Sequence, residues 1–197
     1  MEEAELRSCD ALVIGGSAGS LEVLLNVLPD LYAEISFPII VVVHRKQGAD
    51  SLLPSLLSGR TTLQVKEADE KEAIRPGVIY IAPSDYHLLI ENDHTFSLDY
   101  SEKINYSRPS IDATFESAAA VYKENLVCML LSGSNADGVK GLQAVKAFGG
   151  TAVIQDPKSA QIAYMPAQAA ENVKIDYTLS IKDTAEFINL LSRKKAP

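Results

Sequence analysis

Three residues set apart along the chain have the chemistry of acyl transfer. Ser17 stands in Gly15-Gly16-Ser17-Ala18-Gly19, a Gly-x-Ser-x-Gly turn. The apolar run 11–14 precedes it, and Leu21, Leu24, Leu25 and Leu28 follow at helical spacing. The reading is strand, tight turn, helix, with one hydroxyl at the apex. A serine hydroxyl is a weak nucleophile near neutral pH and needs a base. Histidine is the usual one, and His44 directly follows the apolar run 38–43. A carboxylate must then orient the imidazole and stabilise its cation. Asp137 lies in Ser132-Gly-Ser-Asn-Ala-Asp-Gly138, just before a helical pattern. The N–H groups at the start of the first helix can receive developing negative charge.

Each of these residues has a plainer reading. The glycine turn could hold a phosphate, but a G-x-G-x-x-G fingerprint begun at Gly15 places Ser17 and Ser20 where glycines are needed. No Gly-Lys-Ser/Thr run makes a P-loop. His44 alone is a polar loop residue, and Asp137 alone is a helix cap. Asp85 and Asp112 are rival carboxylates, and His87 and His94 are rival bases. The order Ser, His, Asp also differs from the Ser, Asp/Glu, His order of α/β-hydrolases.

The elements that must position these residues alternate. Strands are expected at 11–14, 38–43, 61–65, 126–131 and 151–154, the second apolar on both faces as a central parallel strand is, the fourth the most apolar of the second half. Helices are expected behind Ser17, after Asp50 or Ser51, from Pro109 to about Lys123, and over 139–148, 166–173 and 183–192. Residues 78–82, 87–91 and 95–100 are short runs separated by turn residues, which predicts an inserted antiparallel meander. The fold class is therefore α/β, three layers, with a mainly parallel doubly wound sheet. Ligands in such sheets bind at the carboxyl ends of strands, where Ser17, His44 and the loop 132–137 all fall.

Composition narrows the function classes. The chain has 197 residues, 47% of them hydrophobic, and a net charge of −8. That length suits one domain over 1–197, and the negative charge argues against nucleic acid and anionic membrane as partners. Cys9 and Cys128 are the two cysteines and form no C-x-x-C motif, so neither zinc nor a disulfide framework is expected. The acidic start Met-Glu-Glu-Ala-Glu lacks the pattern of a signal peptide, and no apolar run approaches membrane-spanning length. The expected location is the cytoplasm, with no membrane insertion.

Five segments come in a telling order: Ile14-Gly-Gly-Ser-Ala-Gly, Val42-Val-His44, Ile81-Ala-Pro-Ser-Asp-Tyr-His87, Arg108-Pro-Ser-Ile-Asp112 and Leu131-Ser-Gly-Ser-Asn-Ala-Asp-Gly138. Together they resemble the catalytic domain of the chemotactic protein-glutamate methylesterases, the CheB family. The resemblance implies a catalytic triad of Ser17, His44 and Asp137. It implies hydrolysis of glutamyl methyl esters on the cytoplasmic domain of methylated chemoreceptors, and deamidation of certain receptor glutamines. No metal or organic cofactor is implied. Family members usually carry a receiver domain ahead of this one, whereas Ser17 lies close to the start of this sequence, so a stand-alone domain is expected. The family commonly has Thr at position 18 and Met and Gly at 134 and 135, where this chain has Ala18, Ser134 and Asn135.

The leading expectation is a serine hydrolase in which Ser17 attacks, His44 accepts the proton and Asp137 holds the tautomer. The Ala18 N–H, the loop carrying Ser134 and Asn135, and Arg108 are the candidates for oxyanion or substrate contacts. The altered Asp137 loop motivates an alternative, a catalytically silent module that docks on a signalling partner. An esterase for a small ester would use the same triad with another pocket.

Overall fold

The computed structural model describes residues 8–45 and 52–193. Among the described residues, nine strands and six α-helices follow in the order β1 (Ala11–Gly16), α1 (Ser20–Val27), β2 (Ile39–Val43), α2 (Leu53–Ser58), β3 (Gln64–Glu67), β4 (Val78–Ile81), β5 (His87–Ile90), β6 (Phe96–Asp99), α3 (Ile111–Tyr122), β7 (Leu126–Leu130), α4 (Val139–Ala147), β8 (Thr151–Gln155), α5 (Tyr164–Asn172), β9 (Tyr177–Leu179) and α6 (Ile181–Arg193). Seven strands form one sheet in the order β3-β4-β2-β1-β7-β8-β9, every neighbouring pair parallel. β5 and β6 form a separate antiparallel hairpin.

The strand sequences explain the layers. Successive side chains of a strand point to opposite faces, so a central strand covered on both sides must be apolar at every position. Leu12, Ile14, Ile39 and Val41 pack with α1 and α6 residues such as Leu24 and Phe187. Ala11, Val13, Ile40 and Val42 pack on the other face with Phe115 of α3, Leu142 of α4 and Met165 of α5. Val13-Ile14 and Val41-Val42 thus serve two cores at once, which is what makes the sheet three-layered.

Topology places the crevice. From β1 the chain runs through α1 to β2 on one side, and from β7 it runs through α4 to β8 on the other. The path reverses between β1 and β7, and ligands of open α/β sheets bind outside the strands' carboxyl ends at such a point. Ser17 and Ser132 leave the two strands there, the Ser17 N–H donating to the Ser132 carbonyl at 2.9 Å.

Two expectations need correction. Residues 78–82 do not belong to an antiparallel meander. Val78–Ile81 is buried at every position and pairs in parallel with β2 and β3, so the inserted antiparallel part is the β5–β6 hairpin alone. The third strand begins at Gln64 and ends at Glu67, a few residues later than expected. The expected caps of the second helix, Asp50 or Ser51, lie outside the described residues.

Candidate active site

The turn after β1 is built around Gly19, whose φ of 87° puts it in the left-handed region that only glycine enters freely. A Cβ at Gly19 would also lie 2.5 Å from Ser132 Oγ, so the position demands glycine for space as well. Ser17 keeps an ordinary backbone: it is absent from the positive-φ residues, unlike the strained serine of an α/β-hydrolase elbow. Its carbonyl accepts the Ser20 N–H at 3.0 Å and the Ser20 hydroxyl at 2.6 Å. With the N–H donating to Ser132, the serine backbone is held at both ends. The Ser17 hydroxyl makes no hydrogen bond with a described residue, and neither do the N–H groups of Ala18 and Gly19.

Strand register brings His44 beside it. Gly16 of β1 pairs with Val43 of β2, and the His44 N–H extends the ladder to the Gly16 carbonyl at 3.1 Å. Neighbouring strands lie about 4.8 Å apart, so the residues that follow Gly16 and Val43 leave the sheet side by side. Ser17, Ala18 and His44 line one pocket of about 550 Å³ whose other walls include Leu21, Leu53 and Leu56.

His44 Nε2 and Asp137 Oδ2 are 2.8 Å apart. Asp137 is fully buried and accepts from five donors: Asn105 Nδ2 (3.1 Å), Ser110 Oγ (3.0 Å), the N–H of Ile111 (2.7 Å), the N–H of Asp112 (3.1 Å) and the imidazole of His44. Two of these are the first N–H groups of α3, where a negative charge is favoured. Burial, the largest single effect, raises its pKa, but the hydrogen bonds from His44, Ile111 and Asp112 outweigh it and bring it down to about 2. Asp137 is therefore an ionised carboxylate aimed at a histidine.

A carboxylate that accepts from Nε2–H fixes the tautomer of His44 and leaves Nδ1 with the free lone pair. Ser107 Oγ lies 3.3 Å from Nδ1, a long hydrogen bond. His44 and Ser107 also border a second cleft of about 330 Å³, lined further by Arg45, Asp85, Lys103, Tyr106 and Arg108.

The rival residues fall elsewhere. His87 is buried, its Nδ1 accepting the Ser110 N–H at 3.1 Å and its Nε2 facing the Glu102 carbonyl at 3.0 Å. His94 sits in a tight turn with φ 58°, its ring 5.2 Å from that of Tyr122. Asp85 pairs with Arg108 at 3.3 Å. Asp112 is close to the site but binds the N–H groups of Gly138 and Gly141, at 2.8 and 2.7 Å, in place of a histidine. Ser134 is exposed, and Asn135 Oδ1 accepts the Asp137 N–H at 3.1 Å. Arg108 lies over Tyr100 and borders the second cleft, away from the walls of the Ser17 pocket. The Gly133 N–H is taken by the Ile162 carbonyl at 3.1 Å.

A model of the family described as CheB methylesterase matches residues 12–188. The chain belongs to the CheB methylesterase family. It is 45% identical over 182 residues to a Leptospira interrogans protein named provisionally as a protein-glutamate methylesterase/protein-glutamine glutaminase, covering 92% of this chain and 94% of that one. To the protein-glutamate methylesterase/protein-glutamine glutaminase of Thermotoga maritima it is 37% identical over 171 residues, 85% of this chain but 50% of that relative. The chain thus spans about half the length of the Thermotoga protein. The crystal structure of the Thermotoga maritima CheB methylesterase catalytic domain superposes with a TM-score of 0.89 at 36% identity, covering 94% of this chain and 100% of that one.

In this CheB-family chain, reading the sequence misses Asn105, Ser107 and Ser110 as parts of the site. Only Ser110 carries a signal, as the residue that caps α3 after Pro109. Among the described residues no cluster of three His, Cys, Asp or Glu side chains could hold a metal ion, and no helix is long and apolar enough to cross a membrane.

Proposed function

We propose that this chain hydrolyses glutamyl methyl esters, and deamidates glutaminyl side chains, of a chemoreceptor's cytoplasmic domain, with Ser17 as nucleophile, His44 as base and Asp137 as orienting carboxylate. The observation that carries the reading is the 2.8 Å contact of His44 Nε2 with buried Asp137, on a histidine that shares a pocket with Ser17. Family membership supports the reaction class, and the names of the relatives support the substrate.

The chemistry follows from the free lone pair on His44 Nδ1. In the reaction the Ser17 hydroxyl replaces Ser107, which lines the second cleft, as the partner of Nδ1. Ser17 Oγ forms a bond to the ester carbonyl carbon while its proton passes to Nδ1. Asp137 stabilises the resulting imidazolium through Nε2–H. The N–H groups of Ala18 and Gly19, which have no acceptor among the described residues, are available to the oxyanion. Such a donor contributes about 3–4 kcal/mol. The C–O bond to methoxide then breaks, and the proton on Nδ1 leaves with it as methanol. In deamidation the leaving group is ammonia. Water, deprotonated by Nδ1, cleaves the acyl-enzyme and returns the proton to Ser17.

Leu21, Leu53 and Leu56 suit the methylene stem and methyl group of the substrate. Lys103, at the rim of the second cleft, suits the carboxylates of an acidic helix that carries the ester. A serine-directed fluorophosphonate tests the nucleophile: it should label Ser17 alone, located by peptide mapping, and fail on Ser17→Ala. Labelling elsewhere, or none on folded protein, would sink the reading.

A further inference from the structure

Two buried carboxylates occupy the region behind His44, Asp137 at 0% and Asp112 at 4% exposure. Asp112 Oδ1 is held by the N–H groups of Gly138 and Gly141, and Asp137 by the start of α3. One uncharged donor links them. Asn105 Nδ2 lies 2.9 Å from Asp112 Oδ2 and 3.1 Å from Asp137 Oδ1, so its two hydrogens are directed to one carboxylate each. We infer that Asn105 is a positioning residue for the reaction, clamping Asp137 against His44 by reconciling it with Asp112.

The reason lies in what the pair would do without the amide. Two carboxylates sharing a buried site cannot both ionise cheaply, and one takes a proton. A shared proton or a retreat of Asp137 would loosen its hold on Nε2, and with it the tautomer. The amide satisfies both oxygens without adding a charge, whereas a lysine there would pair with Asp137 and compete with His44. Its backbone also fits: Asn105 has φ 50°, a left-handed conformation that asparagine tolerates better than most residues. The same loop carries Ser107, the present partner of His44 Nδ1, so one segment touches the imidazole and its carboxylate together.

Burial, chiefly, and the neighbouring Asp137 charge hold Asp112 up at about 6, opposed by the N–H groups of Gly141 and Gly138 and by Asn105. Among the described residues, the titratable groups next to the pair include His44 from the end of β2 and, behind Ser110, His87 of β5.

This inference rests on the proposed triad, and the test separates the two. Asn105→Gly keeps the left-handed backbone and deletes the amide. Methanol release from a methylated receptor domain should fall by about 10- to 100-fold in kcat with KM little changed, the scale of a small misplacement of a catalytic group. The acid limb of the pH–rate profile should move to higher pH, since the unclamped pair binds a proton more readily. Adding Asp112→Asn removes the competing charge, so the double variant should recover part of the lost kcat. A profile that does not move, or losses that simply multiply in the double variant, would overturn the clamp. Should Asn105→Gly not fold, Asn105→Ser is read by the same profile and the same double variant. Asp137→Asn in parallel guards the premise: if it retains full activity the triad fails, whereas a collapse there with no effect at Asn105 defeats the clamp alone.

Discussion

Asp137 meets His44 at Nε2, 2.8 Å away, and not at Nδ1. The chymotrypsin arrangement is the reverse, with the carboxylate on Nδ1 and the nucleophile on Nε2. Either nitrogen can serve, because the carboxylate needs only to accept the N–H on one side and leave the other nitrogen unprotonated. What changes is the direction of approach: a nucleophile that uses this base has to come to Nδ1, where Ser107 Oγ now sits at 3.3 Å.

Asp137→Asn should therefore lower kcat by about 10³- to 10⁴-fold, because an amide at this position no longer selects the tautomer. Steady-state methanol release from a methylated receptor domain measures it. Ser17→Ala combined with His44→Ala should cost little more than either change alone, since the residues act as one unit.

Gly133→Ala probes the fit of the turn. A Cβ there would lie 2.5 Å from Met165 Cε and 3.1 Å from Ser17 Cβ. The methionine can yield, but the serine is fixed through its backbone. The expected result is a loss of about 1–3 kcal/mol in stability and of about 10- to 100-fold in kcat. Urea unfolding and a single-turnover assay read the two separately.

Stability against pH should carry opposite signatures of the two carboxylates. Asp137 has its folded pKa depressed to about 2 from 3.8, so its contribution is present above 3.8 and lost as pH falls through about 2. Asp112 is raised to about 6, so the folded state holds its proton longer and stability falls as pH rises from 3.8 towards 6. Urea unfolding at successive pH values should show that the pH 4–6 decline flattens in Asp112→Asn.

Much of this was legible in the residues and some was not. The all-apolar runs before Ser17 and His44 mark central parallel strands, and adjacent strands bring their exits together, so that half of the site follows from pattern alone. Val78–Ile81 misleads because its neighbours are charged and turn-rich; only burial on both faces shows that it belongs to the main sheet. Asn105 and Ser107 are unreadable, since they reach Asp137 and His44 from 32 and 63 residues away through a loop without a periodic pattern. The glycine that makes the turn possible is Gly19, with φ 87°, and Ser17 needs no strain to project its hydroxyl.

Lys103→Glu should act on binding. Lys103 is exposed on the cleft beside His44 and takes no part in the His44–Asp137 hydrogen bonding. An acidic receptor helix should then bind more weakly, raising KM several-fold with kcat unchanged, and the difference should shrink as salt is added. An uncharged small ester should show no change.

Acyl transfer through Ser17 is read most directly in the first turnover. Purified protein mixed in excess with a receptor domain carrying glutamyl methyl esters should release methanol, and a quench before hydrolysis should recover the receptor's glutamyl group esterified to Ser17. Ser17→Ala should release none above background and form no adduct. Methanol release that persists in folded Ser17→Ala, or a covalent adduct mapped to another residue, would contradict the account.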